Sequence, residues 1–146
     1  MKKLLTILLI TSLLTGCQKK LSAGEISKIN GYWEIEKVIF ANGSTKDYKI
    51  NEMFDFFDIE NNNGFRKKVT PQFDGTFLVN DASEKVTIKE VDGIYFLNYS
   101  TAFSKWKEEL LMVSDKELIT RNVSKDEYHY KRATPINLTG NGKEVQ

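Results

Sequence analysis

Few side chains in this 146-residue chain are equipped for chemistry. There is one thiol, Cys17, and one imidazole, His129. A single Cys cannot close an intrachain disulfide, and one Cys with one His cannot build a His/Cys metal cluster. His129 could act as a general base in principle. No Ser, however, stands in a nucleophile-elbow pattern. In Glu127-Tyr128-His129-Tyr130-Lys131-Arg132 the side chains alternate, so if the two tyrosines face a core, His129 faces solvent with Glu127 and Lys131. Asp55, Asp58 and Glu60 are the nearest approach to an acidic cluster. Strand geometry puts Asp55 and Asp58 on opposite faces, and no D-x-D-x-D-G loop follows, so they read as a polar rim beside a hairpin turn. Arg66-Lys67-Lys68 reads as a solvated strand edge, where lysines discourage edge-to-edge pairing. No catalytic residue, metal or cofactor is expected, and the chain is not expected to be an enzyme.

The aromatic residues are more suggestive. Phe54 and Phe56 point one way along a strand, Phe57 and Ile59 the other. Tyr95, Leu97 and Tyr99 share one face of another. Such side chains can line an apolar pocket for an acyl chain or similar hydrophobe. The expected pocket residues are Trp33, Phe56, Phe77, Tyr95 and Leu97. The competing reading is that they fill the core, since a barrel of eight strands is just wide enough for either. Composition agrees with a folded domain: 40% hydrophobic and 12% aromatic residues exclude disorder throughout. A formal charge of +1 gives no overall basic field for nucleic acid.

These residues need elements to position them, and the first segment is an address. Lys2 and Lys3 precede an uncharged run, Leu4 to Leu14, too short to span a bilayer comfortably. That is the form of a secretory signal. Leu14-Thr15-Gly16-Cys17 resembles the lipobox of bacterial lipoproteins. The resemblance implies a signal peptide of residues 1–16, cleavage before Cys17, acylation of Cys17, and a lipidated tether of residues 17–24. Loss of Lys2 and Lys3 leaves 19 basic against 20 acidic residues, so attachment would rest on lipid and not on a polybasic segment. Gln18 is not Asp, which by the same resemblance points to the outer membrane, facing the periplasm.

From Glu25 the chain makes a short helical turn and then reads as strands. Gly31–Phe40 alternates, with Trp33, Ile35 and Ile39 on one face. Asn42-Gly43, Asn63-Gly64, Asp74-Gly75 and Asp92-Gly93 have the chemistry of tight hairpin turns. Between them lie Phe54–Glu60, Phe65–Thr70, Thr76–Asn80, Glu84–Val91 and Ile94–Ser100, followed by Lys105–Val113, Glu117–Val123 and Glu127–Arg132. Within Lys105–Val113 the spacing of Trp106, Leu110 and Val113 imitates a helix, but its hairpin neighbours favour a strand. Eight or nine strands joined by short turns predict a small up-and-down antiparallel β-barrel, since closure removes exposed edges. The expected domain is residues 25–132, with 133–146 a tail or an arm. Asn42–Glu52 is the obvious loop.

Gly31-Tyr32-Trp33 at the start of the first strand is similar to the G-x-W motif of lipocalins. Phe73-Asp74-Gly75-Thr76-Phe77 and the closing Tyr128-His129-Tyr130-Lys131 resemble segments of small lipobox-bearing, lipocalin-like lipoproteins of Bacteroidetes type. That family packs an Arg of the last strand across the strand-A Trp. The resemblance therefore implies Gly31, Trp33 and Arg132 as a structural signature, with Arg121 a second candidate. The second lipocalin motif, a disulfide and a C-terminal helix have no counterpart here. The function this implies is non-covalent binding of a small hydrophobic ligand or lipid in the cell envelope. The alternative is an envelope lipoprotein that binds a protein, as an inhibitor or immunity-type barrel would, through loops and barrel surface.

Overall fold

A computed structural model describes residues 21–133. The signal segment, Cys17, the first part of the tether and the tail beyond Ala133 lie outside the described residues. The fold begins with a single helical turn, α1 (Ala23–Ile26), and a 3₁₀ turn at Ser27–Ile29. α1 is short enough to need a cap. Ser22 Oγ accepts from the Glu25 amide and the Glu25 carboxylate accepts from the Ser22 amide at 2.8 Å.

Ten strands follow: β1 (Gly31–Ile39), β2 (Thr45–Asp47), β3 (Phe54–Glu60), β4 (Asn63–Pro71), β5 (Phe77–Val79), β6 (Glu84–Val91), β7 (Ile94–Ser100), β8 (Lys105–Val113), β9 (Glu117–Arg121) and β10 (Glu127–Arg132). Eight of them close a barrel in the order β1-β3-β4-β6-β7-β8-β9-β10, and β10 returns to β1. The closing ladder runs from Trp33 opposite Arg132 to Ile39 opposite Glu127. The all-β, antiparallel up-and-down barrel expected from the turn spacing is what the chain forms. β2 and β5 hang on this frame, β2 beside β1 and β5 beside β4.

Three local expectations are corrected. The Asn42–Glu52 loop contains β2, whose residues are all exposed and so carry no apolar alternation to announce it. The β3–β4 turn is made by Asn61 and Asn62, both in the left-handed region, and Asn63-Gly64 already belongs to β4. Gly64 serves close approach instead: a Cβ there would meet the Asp58 carbonyl oxygen at 1.9 Å. In β8 the helix-like spacing has a strand explanation. A bulge between Leu110 and Met112 shifts the register, so Leu110 and Val113 are both buried.

The antiparallel order gives the barrel two ends. The base carries α1, the 3₁₀ turn and the β3–β4, β6–β7 and β8–β9 turns. The open end carries the β1–β2–β3, β4–β5–β6, β7–β8 and β9–β10 connections. The main core includes Ile29, Trp33, Phe57, Val86, Leu97, Tyr99 and Leu118. A second apolar cluster, Phe54, Val69 and Ala133 with Tyr32, Phe56 and Phe77 against it, is separate from it.

Candidate functional site

The base is closed by side chains the sequence singled out. Trp33 is fully buried and donates from Nε1 to the Ile29 carbonyl at 2.7 Å. The Arg132 guanidinium lies 3.8 Å from the Trp33 ring centroid, a cation–π contact. It also donates to the carbonyls of Lys28, Asn30, Ser114 and Asp115. One side chain thus ties the 3₁₀ turn, the β8–β9 turn and the barrel seam together. Gly31 makes room for it: its φ is +110°, and a Cβ would stand 2.8 Å from Arg132 Nη1. Arg121, the second candidate, instead pairs with Glu109 at 2.8 Å.

Towards the open end the interior is polar, which the sequence reading missed. Asp55 and Arg66 are buried, so Arg66 is not part of a solvated edge. Alternation explains it: Arg66 stands opposite Phe57, and Asp55 opposite Lys68, on the inward face. Arg66 bonds Glu84, and its guanidinium lies 4.4 Å from the Tyr99 ring. Lys68 Nζ reaches Asp55 Oδ1 at 2.6 Å. Tyr99 donates to Glu108 at 3.1 Å. Burial pushes the Glu108 carboxyl above its ordinary value, against the pull of Arg66, Thr120 and Tyr99. Burial also raises the Tyr99 phenol, with Glu108 adding to it. Burial opposes charge on Arg66, but Tyr99, Glu84 and Asp55 outweigh it and hold its pKa above the usual value. The period-2 pattern was the available signal. It puts Asp55 in phase with Phe57 and Ile59.

The five residues expected to line one pocket are not brought together. Trp33 and Leu97 are fully buried in the main core, with Tyr95 packed against it. Phe56 and Phe77 lie in the second cluster, on the outer face: Phe56 stands opposite Tyr32, out of phase with Asp55 and Phe57. Tyr32 and Phe77 stack there at 4.0 Å. The correct alternation was available, but the more aromatic face was not the inner one. An apolar ligand in the upper barrel would have to lie against Asp55, Arg66, Glu84 and Glu108, an unfavourable exchange for groups that need polar partners.

Tyr95 does border a cleft at the base. It has a volume of about 250 Å³ and is lined by Ile26, Ile29, Ile59, Ile88, Asn61, Asn62 and Glu90. That is below the usual 300–1,000 Å³ of small-molecule pockets. His129 sits on the outer face, mostly covered, with Nε2 at 3.4 Å from the Glu127 carboxylate. Among the described residues no group of three or more His, Cys, Asp or Glu side chains is placed to hold a metal ion, and no helix is long and apolar enough to cross a membrane.

The open end is a different surface. Among the described residues eleven large hydrophobic side chains are exposed, and eight of them are on its four connections. They are Phe40, Ile50 and Met53; Phe73, Leu78 and Val79; Phe103; and Val123. Phe103 is 99% exposed, Ile50 89% and Phe73 83%. Every open-end connection contributes at least one. The connections are held in shape: Asp126 accepts from the Ala41 amide at 3.0 Å, and Asp74 holds Thr76 across the β4–β5 turn. Scattered surface hydrophobics are ordinary, but a ring of them on one end is not.

No protein-family model and no curated protein matches this chain. Among solved structures the chain is similar to a lipocalin-like protein from Bacteroides uniformis ATCC 8492, at 10% identity and a TM-score of 0.46, over 73% of this chain and 99% of that one.

Proposed function

We propose that the chain is a non-catalytic binding protein of the cell envelope, anchored through acylated Cys17, that grips a protein partner with the loops of its open end. The observation that carries this reading is that, among the described residues, eight of the eleven exposed large hydrophobics gather onto those four connections. Burying such residues against a partner removes apolar area from water, and aromatic anchors such as Phe73 and Phe103 dominate interfaces of this kind. The barrel supplies a rigid frame for these loops. The test is site-specific photo-crosslinking in the intact envelope, with the probe at position 73 or 103 and, as control, at position 62 on the base. Discrete protein adducts at 73 and 103 alone are expected. Adducts of equal yield at 62, or none at the open end, would count against the reading.

A second reading has its own observation. The 250 Å³ cleft beside Tyr95 has an isoleucine floor with a carboxylate, Glu90, at its side. It suits a short apolar ligand with a polar end. Tyr95→Trp would fill this cleft and abolish such binding while leaving the open end unchanged.

A further inference from the structure

The outer face of β6, β7 and β8 gathers four lysines. Lys85 and Lys89 on β6 and Lys105 and Lys107 on β8 are all exposed. The ladder places Lys85, Ser100 and Lys105 on one rung, and Thr87, Asn98 and Lys107 on the next. Lys85 and Lys105 are therefore two strand spacings apart, about 9.5 Å. The surface between them is a groove of about 650 Å³ with Thr87, Asn98 and Ser100 in its lining. None of the four lysines forms an ion pair with a described residue. On the neighbouring wall charges are matched: Arg121 with Glu109 and Glu127, Lys131 with Glu34. The acid on the next rung towards the base, Glu109 opposite Phe96, is taken by Arg121. Lys107 is held along the wall over the Phe96 ring, 4.8 Å from its centroid.

The first described residue lies at the edge of this face. Leu21 shares a cleft with Asp92, Gly93, Ile94 and Tyr95 at the β6–β7 turn and with Glu109 to Leu111, Arg121 and Glu127 of the adjoining wall. That turn carries exposed Val91 and Ile94, in phase with the lysines. Five residues separate Cys17 from α1, a reach of about 17 Å when extended.

We infer that the outer face of β6–β8 lies on the anionic headgroups of a membrane, with Val91 and Ile94 at the interface and Lys85, Lys89, Lys105 and Lys107 facing lipid phosphates. The barrel then lies on its side, and its open end projects along the surface, clear for a partner. The overall charge conceals this because Glu109, the acid on the next rung of this face, is already taken by Arg121. Basic clusters of this size draw proteins to anionic lipid, and salt screens the attraction.

The inference does not depend on acylation, and its test omits it. The chain from residue 18 contains the whole closed barrel and is sedimented with phosphatidylcholine vesicles or with mixed phosphatidylglycerol–phosphatidylcholine vesicles. Binding to the anionic vesicles alone is expected, falling with added salt. Lys105→Gln with Lys107→Gln should weaken it about thirtyfold, while Lys46→Gln with Lys125→Gln on the open end should leave it unchanged. Near-ultraviolet circular dichroism confirms that each variant is folded. Equal binding to both vesicle types, binding to neither, indifference to the Lys105/Lys107 pair, or preference for a soluble acidic polypeptide would overturn it.

Discussion

Arg132 has one guanidinium and five jobs: a ring to cover and four carbonyls to satisfy. Lysine would keep the charge but not the fork, so Arg132→Lys should lose about 2–4 kcal/mol of stability in a denaturant titration, since hydrogen bonds from a charged donor are worth roughly 1.5–3 kcal/mol each. Gly31→Ala should cost about 1–3 kcal/mol, because it forces a side chain into the left-handed region and into Arg132. This signature was legible in Gly31-Tyr32-Trp33 and Arg132, because a G-x-W start and a terminal Arg are local strings. The buried Arg66–Glu84 and Tyr99–Glu108 pairs were not, because charge within a basic run is the ordinary mark of a surface. Glu108 gives that network a pH signature. Its folded pKa lies above the ordinary value of 4.5. The folded state therefore holds this proton more tightly than the unfolded chain does. The resulting stabilisation is complete below about pH 4.5 and is lost as pH rises through the folded pKa. Glu108→Gln should remove that loss, so the stability difference between variant and parent should grow in the variant's favour from acid to neutral pH. A difference independent of pH would show that the carboxyl is not perturbed.

The strands were legible where turn chemistry and alternation agreed. Asp92-Gly93 places β6 and β7 in the register its left-handed pair demands. Agreement failed where an element had no apolar face, as in β2, and where two residue types shared a turn, as in Asn61 to Gly64. The β3–β4 hairpin therefore offers a sharp test. Gly64→Ala drives a Cβ into the β3 backbone, and neither strand can yield without breaking the ladder. It should cost about 2 kcal/mol or more. Gly24→Ala, in α1 with only the Ser22 hydroxyl at 4.0 Å, should be neutral or stabilising. Equal midpoints for the two variants would contradict the close approach. The bulge in β8 teaches the same lesson from the other side. Helix-like spacing of Trp106, Leu110 and Val113 arises when one extra residue turns a strand's face.

At the scale of the molecule, alternation made the barrel predictable, but not which face of each strand would carry aromatics outward. Phe56 and Phe77 left the interior, charges entered it, and the exposed apolar residues collected at one end. The resulting object has a base tied together by Arg132, a polar interior towards the open end, a basic side wall and an apolar open end. Anchoring through Cys17 would fix its distance from the bilayer. Cys17→Ser should abolish the acyl mass and leave an unprocessed or soluble product, and a Ser variant that still carries that mass would refute the assignment. The most direct test of the account is native mass spectrometry of the chain extracted from its own envelope, beside a Phe73→Ser, Phe103→Ser variant. A stoichiometric complex with a second protein that the variant loses is the predicted result. A parent mass raised only by a few hundred daltons, and unchanged in the variant, would mean that the barrel carries a small molecule and that its open end is not the binding site.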